Sequence, residues 1–250
     1  MRGSTLIVIP ARLASTRLPG KVLKPLGGVP VVEWCRRAAV RAAVGPVVVA
    51  TDSLEVLRAV ESLGGSAVLT PPDCRSGTDR VHAALRALER ARRRRFAFVL
   101  NLQGDEPLIL PRTVRGTAAL LWKGAAMSTA VIPMEDPSDA ENPSVVKVAL
   151  TGEGRCLYFS RAAIPFFSRA HAASNGDAPR VRHIGIYGFS RKTLERFVRL
   201  PPSPLEKAES LEQLRALEAG IPITAFLARE KTVAIDTAAD LRRARMMIHG

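Results

Sequence analysis

Twelve consecutive residues, Pro10-Ala11-Arg12-Leu13-Ala14-Ser15-Thr16-Arg17-Leu18-Pro19-Gly20-Lys21, place three cations and two hydroxyls directly after the apolar segment 6–9. If that segment is a strand, the loop leaves its carboxyl end, where open α/β sheets bind their ligands. Backbone amides beside Arg12, Arg17 and Lys21 suit a triphosphate, and the cations offset the charge that builds up in phosphoryl or nucleotidyl transfer. The stretch is neither a Walker loop nor a GxGxxG turn. Its alternative reading is a basic surface turn held by two prolines. A second polar loop, Arg75-Ser76-Gly77-Thr78-Asp79, opens a helical pattern. The first amides of a helix are unpaired and suit an anion or a base, while capping by Ser76 or Thr78 would use the same residues.

Carboxylates stand at two comparable places. The apolar run 96–102 ends at Leu102, and Gln103-Gly104-Asp105-Glu106-Pro107 turns the chain sharply. Asp105 is thereby placed to hold a hard cation such as magnesium, which takes oxygen ligands and commonly one or two carboxylates. Asp236 follows Val233-Ala234-Ile235 in the same manner. A turn former at Asp105 and a helix cap at Asp236 are the competing readings. In the segment 183–189, alternation puts His183, Tyr187 and Phe189 on one face with Gly185 between them. That leaves a hollow with two hydrogen-bonding groups on its rim, suited to a polyhydroxylated sugar, unless the pair is simply a satisfied histidine and a core tyrosine.

These groups need a scaffold, and the first half of the chain alternates β-branched runs with amphipathic stretches, the pattern of βαβ units. Strands are expected at 6–9, 46–50, 67–70 and 96–102, and helices at 31–43, 53–63 and 79–90. The Gly64-Gly65 pair closes the second helix. The continuous apolar run 96–102 fits a strand covered on both faces. The result is a doubly wound α/β fold. Later strands are expected at 128–131, 145–149, 156–160 and 183–189, with edge strands at 221–226 and 232–235. Helices are expected at 205–219 and 238–248, and a mobile loop at 168–182. With no internal repeat or low-complexity linker, residues 1–250 read as one domain.

Composition narrows the function. A hydrophobic share of 47% over 250 residues can fill a core without staples. Cys35, Cys74 and Cys156 form neither a paired framework nor a CxxC spacing, so reduced thiols in a cytoplasmic protein are expected. No signal-peptide pattern opens the chain, and no apolar run has the length of a membrane span. Lys and Arg number 37 against 23 Asp and Glu, a formal charge of +14, which suits an anionic substrate or a nucleic acid. Its densest cluster, Arg90 and Arg92 to Arg95, follows a helical stretch and opposes the helix dipole. With only 5% aromatic residues and none interleaved with these arginines, a nucleic-acid-binding module is disfavoured, and the lack of a spanning apolar run disfavours a membrane partner.

The twelve-residue loop also resembles the 3-deoxy-manno-octulosonate cytidylyltransferases, whose N-terminal signature has the form PARxxSTRLPGK. The resemblance continues in order through Ala50-Thr51-Asp52, Ser76-Gly77-Thr78-Asp79-Arg80, Asn101-Leu102-Gln103-Gly104-Asp105-Glu106-Pro107 and Leu157-Tyr158-Phe159-Ser160-Arg161. It ends with His183-Ile184-Gly185-Ile186-Tyr187-Gly188, Ser203-Pro204-Leu205-Glu206, Leu211-Glu212-Gln213-Leu214-Arg215 and Asp236-Thr237. The resemblance implies a mostly parallel sheet of the nucleotide-diphospho-sugar transferase, Rossmann-like type with a small strand-rich extension, and a homodimer. It implies transfer of CMP from CTP to 3-deoxy-D-manno-octulosonate, releasing pyrophosphate, for lipopolysaccharide synthesis. A sialic acid or an amino-octulosonate is the alternative acceptor. It implies that Asp105 and Asp236 bind Mg²⁺ and, with Arg12 and Lys21, are the catalytic residues. It places Ala11, Arg12, Lys21, Arg75, Ser76, Gly77, Thr78 and Asp79 on the nucleotide, and Gln103, Arg161, His183, Tyr187 and Glu212 around the sugar acid.

Overall fold

A computed structural model describes residues 4–167, 180–229 and 232–249. Its first strand, β1 (Thr5–Pro10), alternates between two cores. Leu6 and Val8 join one buried cluster, and Ile7 and Ile9 join the other. A strand apolar on both faces needs helices on both sides. After two short strands, β2 (Pro25–Leu26) and β3 (Val29–Pro30), comes α1 (Val31–Ala42), which buries Val32, Cys35, Ala38 and Ala39 on one face. Next come β4 (Val47–Thr51), α2 (Leu54–Ser62) and β5 (Ala67–Leu69). Then α3 (Gly77–Arg92) sends Val81, Ala84 and Leu85 into the opposite core from α1. Ser53 and Ser76 cap α2 and α3 by accepting from the amides of Val56 and Asp79.

The second half begins with β6 (Phe98–Leu102), α4 (Pro111–Trp122) and β7 (Met127–Pro133). A single turn, α5 (Ser138–Glu141), leads to the hairpin β8 (Lys147–Leu150) and β9 (Cys156–Ser160). The long strand β10 (Val181–Ser190) is followed by α6 (Arg191–Phe197), α7 (Pro204–Glu209) and α8 (Leu214–Glu218). The edge strand β11 (Ile223–Leu227) and α9 (Ala238–His249) complete the order.

The main path of the sheet runs β11-β7-β10-β6-β1-β4-β5, with β8 and β9 attached to β10. β1 is parallel to β4 and β6, β5 to β4, and β11 to β7, while β10 runs antiparallel between β6 and β7. The sheet is therefore mostly parallel and doubly wound, with β8–β9 as the small strand-rich extension. Successive strands move outward from β1 to β4 and β5, and β6 then returns to the other side of β1. That reversal makes the carboxyl ends of β1 and β6 the switch-point crevice. A third apolar cluster, including Leu18, Leu26, Val31, Val233, Ile235, Leu241 and Ala244, packs α9 beside it.

Two expected elements take other forms. The helix expected at 205–219 is broken into α7 and α8, with Ser210 in the left-handed region at φ 52. The apolar spacing continues through the break because Leu211 and Leu214 both reach the core, so periodicity alone does not reveal it. The edge strand expected at 232–235 pairs with no strand. Instead the segment is tied to the β6 turn: the Ile235 amide donates to the Asp105 carbonyl at 2.8 Å. Helices α4 and α6 lie where the sequence pattern predicts no element; Pro111 in the first turn of α4 is the N-terminal signal that points to the former. Of the expected loop 168–182, residues 168–179 lie outside the described residues, and β10 already begins at Val181.

Candidate active site

The loop leaving β1 and the turn leaving β6 face one cleft of ≈ 1220 Å³. Pockets for single drug-sized ligands run from ~300 to ~1,000 Å³, so this space suits two substrates at once. At its centre the Lys21 ammonium donates to Asp105 Oδ2 at 2.6 Å and to Asp236 Oδ1 at 2.8 Å. Arg17 closes the group with an ion pair to Asp236 Oδ2 at 3.0 Å. Burial works against the Lys21 charge, but the two carboxylates more than offset it and hold its pKa above the ordinary lysine range. Burial likewise opposes the charge on Asp236, and the hydrogen bond from Lys21 overcomes this and lowers its pKa. Asp105 Oδ1 is buried with no hydrogen-bond partner. Among the described residues no group of three or more His, Cys, Asp or Glu side chains has a metal-binding arrangement.

At the other end of the cleft, β10 shifts register against β7 between Ile184 and Tyr187. This irregularity turns Gly185 toward the β6 turn. The Gln103 amide donates to the Gly185 carbonyl, and the Gly185 amide donates to Glu106 Oε1. A Cβ at position 185 would meet Gln103 Oε1 at 2.5 Å. The hollow expected beside Gly185 is thus filled by the Gln103 carboxamide, because a glycine there lets the neighbouring turn close on the strand. His183 and Tyr187 do share a face, with ring centroids 5.0 Å apart at 27°.

The tautomer of His183 follows from its partner. Thr129 Oγ1 gives its proton to the Ile186 carbonyl, so its contact with His183 Nε2 at 2.8 Å must run from the ring to the hydroxyl. Nε2 therefore carries the proton and Nδ1 remains an acceptor. Burial, with Arg182 adjacent, lowers the His183 pKa to about 3 and keeps the ring neutral. Arg161 also lines the cleft, and its guanidinium donates to the backbone carbonyls of Glu209, Pro143 and Ser210. Glu212 enters from the break between α7 and α8.

Arg12, Lys21, Ser76, Gly77, Gln103, Asp105, Arg161, His183, Tyr187, Glu212 and Asp236 all line this space, so most of the sequence candidates converge. Four do not open on it. Ala11 is fully buried and pairs its amide with the Ala50 carbonyl. Arg75 points outward, with its side chain 69% exposed and 3.8 Å from Asp79, and Asp79 stays with it at the helix start. Thr78 is 1% exposed and turns inward. A residue's place in a loop does not set its direction; the first turn of α3 points successive side chains about 100° apart, so only some of the five face the cleft.

Several cleft residues have no role in the sequence reading, and three of them are tied into the site. Glu106 is 3% exposed, and burial pushes its carboxyl up to about 7 against the Gly185 amide. Arg182 bonds the Thr232 carbonyl, joining β10 to the segment before Asp236. Arg80 is buried, ion-paired to Asp52 at 2.7 Å and bonded to Thr70 Oγ1 at 2.6 Å. The available signal for Arg80 was a charge on the apolar side of α3, which demands a buried partner.

A doubly wound sheet with a basic loop and paired carboxylates at its switch point defines a nucleotide-transferring α/β enzyme. A cytidylyltransferase family model matches residues 6–230, and the chain belongs to that family, among the 3-deoxy-manno-octulosonate cytidylyltransferases. It is 46% identical over 248 residues to the 3-deoxy-manno-octulosonate cytidylyltransferase of Elusimicrobium minutum, covering 98% of each chain. It is 45% identical to that of Bradyrhizobium sp. over 99% of this chain and 98% of the relative. The solved structure of CMP:2-keto-3-deoxy-manno-octonic acid synthetase complexed with CTP superposes with a TM-score of 0.86, at 37% identity and over 98% of both chains. A putative glucose-1-phosphate thymidylyltransferase from Bacillus anthracis shares the fold, at TM-score 0.68 and 12% identity over 98% of this chain and 95% of that one. Among the described residues no helix is long and apolar enough to cross a membrane.

Proposed function

We propose that this enzyme transfers CMP from CTP to 3-deoxy-D-manno-octulosonate and releases pyrophosphate. One observation carries the reading: Lys21 of the signature loop meets both Asp105 and Asp236 in a cleft large enough for a nucleotide and a sugar acid. The names of the relatives supply the substrates.

The donor set fits magnesium. Two carboxylates converge, one with a buried oxygen that lacks a partner, and a hard cation of this kind uses one or two carboxylates while phosphate and water fill its other positions. Mg²⁺ held by Asp105 and Asp236 would draw charge from the phosphates and lower the repulsion between two anionic substrates.

The remaining steps belong to the chain's own groups. Arg12, Arg17 and Lys21 bind the triphosphate, and Ser76 and Gly77 border the nucleotide. Arg161 takes the sugar carboxylate. His183 Nδ1 accepts a sugar hydroxyl, while the Gln103 carboxamide and Tyr187 border the ring. The anomeric oxygen then forms a bond to the α-phosphorus as the bond to the bridging oxygen breaks, and pyrophosphate leaves with the electron pair. The hydroxyl proton passes to solvent. Positioning and charge neutralisation supply the rate enhancement, without a covalent enzyme intermediate.

Pyrophosphate release measured with CTP and UTP against octulosonate, amino-octulosonate and sialic acid, with and without Mg²⁺, tests this reading. Turnover is expected to be highest with CTP and octulosonate and to require the metal. A preference for another acid or nucleotide, or full activity in excess chelator, would overturn it.

A further inference from the structure

Thr78 sits in the first turn of α3, yet it is buried and does not itself line the cleft. Asn101 of β6 donates from Nδ2 to Thr78 Oγ1 at 3.2 Å, and Thr78 Oγ1 donates to Glu212 Oε2 at 3.0 Å. Three segments distant in sequence thus meet on one hydroxyl. It has a single proton, and the amide already supplies one from the other side, so the direction of the chain is set from amide to hydroxyl to carboxylate.

The neighbouring Ser76 hydroxyl also favours the Glu212 charge, and together with Thr78 it ties down one side of the carboxylate and leaves Oε1. Glu212 Oε1 is buried and has no hydrogen-bond partner, on a residue that lines the cleft. A buried carboxylate oxygen without a donor is unfavourable unless a ligand brings one. Phosphates bring only acceptors, whereas a polyhydroxylated sugar brings several donors. Glu212 also lies beside Tyr187: burial, and then the Glu212 charge, raises the Tyr187 phenol. Tyr187 in turn stacks on His183, which also lines the cleft.

We infer that Thr78, braced by Asn101, is a positioning residue that fixes the Glu212 carboxylate so that its second oxygen receives a hydroxyl of the sugar acid, and that Thr78 is not a nucleotide contact. The inference rests on the proposed reading of the cleft as a site for CTP and an octulosonate.

The test is steady-state kinetics with each substrate varied in turn, on wild type, Thr78→Val, Thr78→Ser, Glu212→Gln and the Thr78→Val/Glu212→Gln double variant. Thr78→Val should raise KM for the sugar acid on the order of tenfold to a hundredfold, with KM for CTP within about twofold. Thr78→Ser keeps the hydroxyl and should restore wild-type behaviour. On the Glu212→Gln background, Thr78→Val should add less than about threefold, because its effect passes through that carboxylate. A rise in KM for CTP equal to that for the sugar, a serine variant as impaired as the valine one, or additive losses would overturn the relay. Should Thr78→Val not fold, Thr78→Ala removes the hydroxyl without adding a methyl and is read by the same criteria. Wild type inactive with CTP and octulosonate would sink the parent reading, whereas an active wild type with the wrong variant pattern sinks only the relay.

Discussion

Asp105 and Asp236, one after a central strand and the other before the last helix, share a single ammonium, that of Lys21, at 2.6 and 2.8 Å. The backbone enforces the meeting, since the Ile235 amide donates to the Asp105 carbonyl. One cation already satisfies part of each carboxylate, which lets two like charges sit together in a partly buried place.

Replacing Asp105 or Asp236 by Asn keeps the shape and removes the charge. Turnover should fall by at least about a hundredfold with the melting temperature little changed. Pyrophosphate release and thermal denaturation measure the two effects separately, and near-normal turnover in either variant would remove the assignment.

Lys21→Met leaves the two carboxylates facing each other. In the absence of divalent cations this should cost ~1–3 kcal/mol, less than a fully buried pair because all three side chains keep some exposure. Added Mg²⁺ should then raise the melting temperature of the variant more than that of wild type. Equal shifts would show that the carboxylates do not hold the ion.

The depressed pKa of His183 has a defined pH consequence. A histidine whose folded pKa lies below its unfolded value of ~6.5 gives stability that is fully present above that value and is lost as pH falls toward about 3. His183 should therefore contribute a slope of up to ~1.4 kcal/mol per pH unit within that window, destabilising toward acid. Denaturant unfolding from pH 7 to pH 4 should show a shallower slope for His183→Asn. An unchanged slope would place the ring in a different protonation state.

Gly185→Ala forces its new methyl onto the Gln103 carboxamide. KM for the sugar acid should rise about tenfold or more while KM for CTP stays near wild type. An effect on CTP alone would move Gln103 to the nucleotide side.

Gly116→Ala is the contrasting case, outside the cleft lining. Its methyl would lie 2.5 Å from the Phe226 ring, between α4 and β11. Overpacking of this kind costs ~1–3 kcal/mol, so the midpoint of unfolding should fall with kcat unchanged.

Much of the architecture is legible in the sequence. The run 96–102, read as a strand covered on both faces and observed as β6 (Phe98–Leu102), and the loop from Pro10 to Lys21 identify a parallel sheet and the end where ligands enter. Ser53 and Ser76 announce their helices because a cap acts within three residues. The segment before Asp236 has the apolar composition of a strand but serves as a clamp, because Arg182 and Asp105 supply its partners from elsewhere.

What the sequence determined by itself is local: residue types, periods of burial and the signature loop, each set by interactions within a few positions. The tertiary structure alone decided direction and company. It turned Thr78 inward to Glu212 and Arg75 out to solvent from one short loop, and brought Asp236 to Lys21 across most of the chain. The reason is that a side chain's orientation depends on which distant segment fills the space beside it, and that segment is known only when the sheet has closed and the helices have packed.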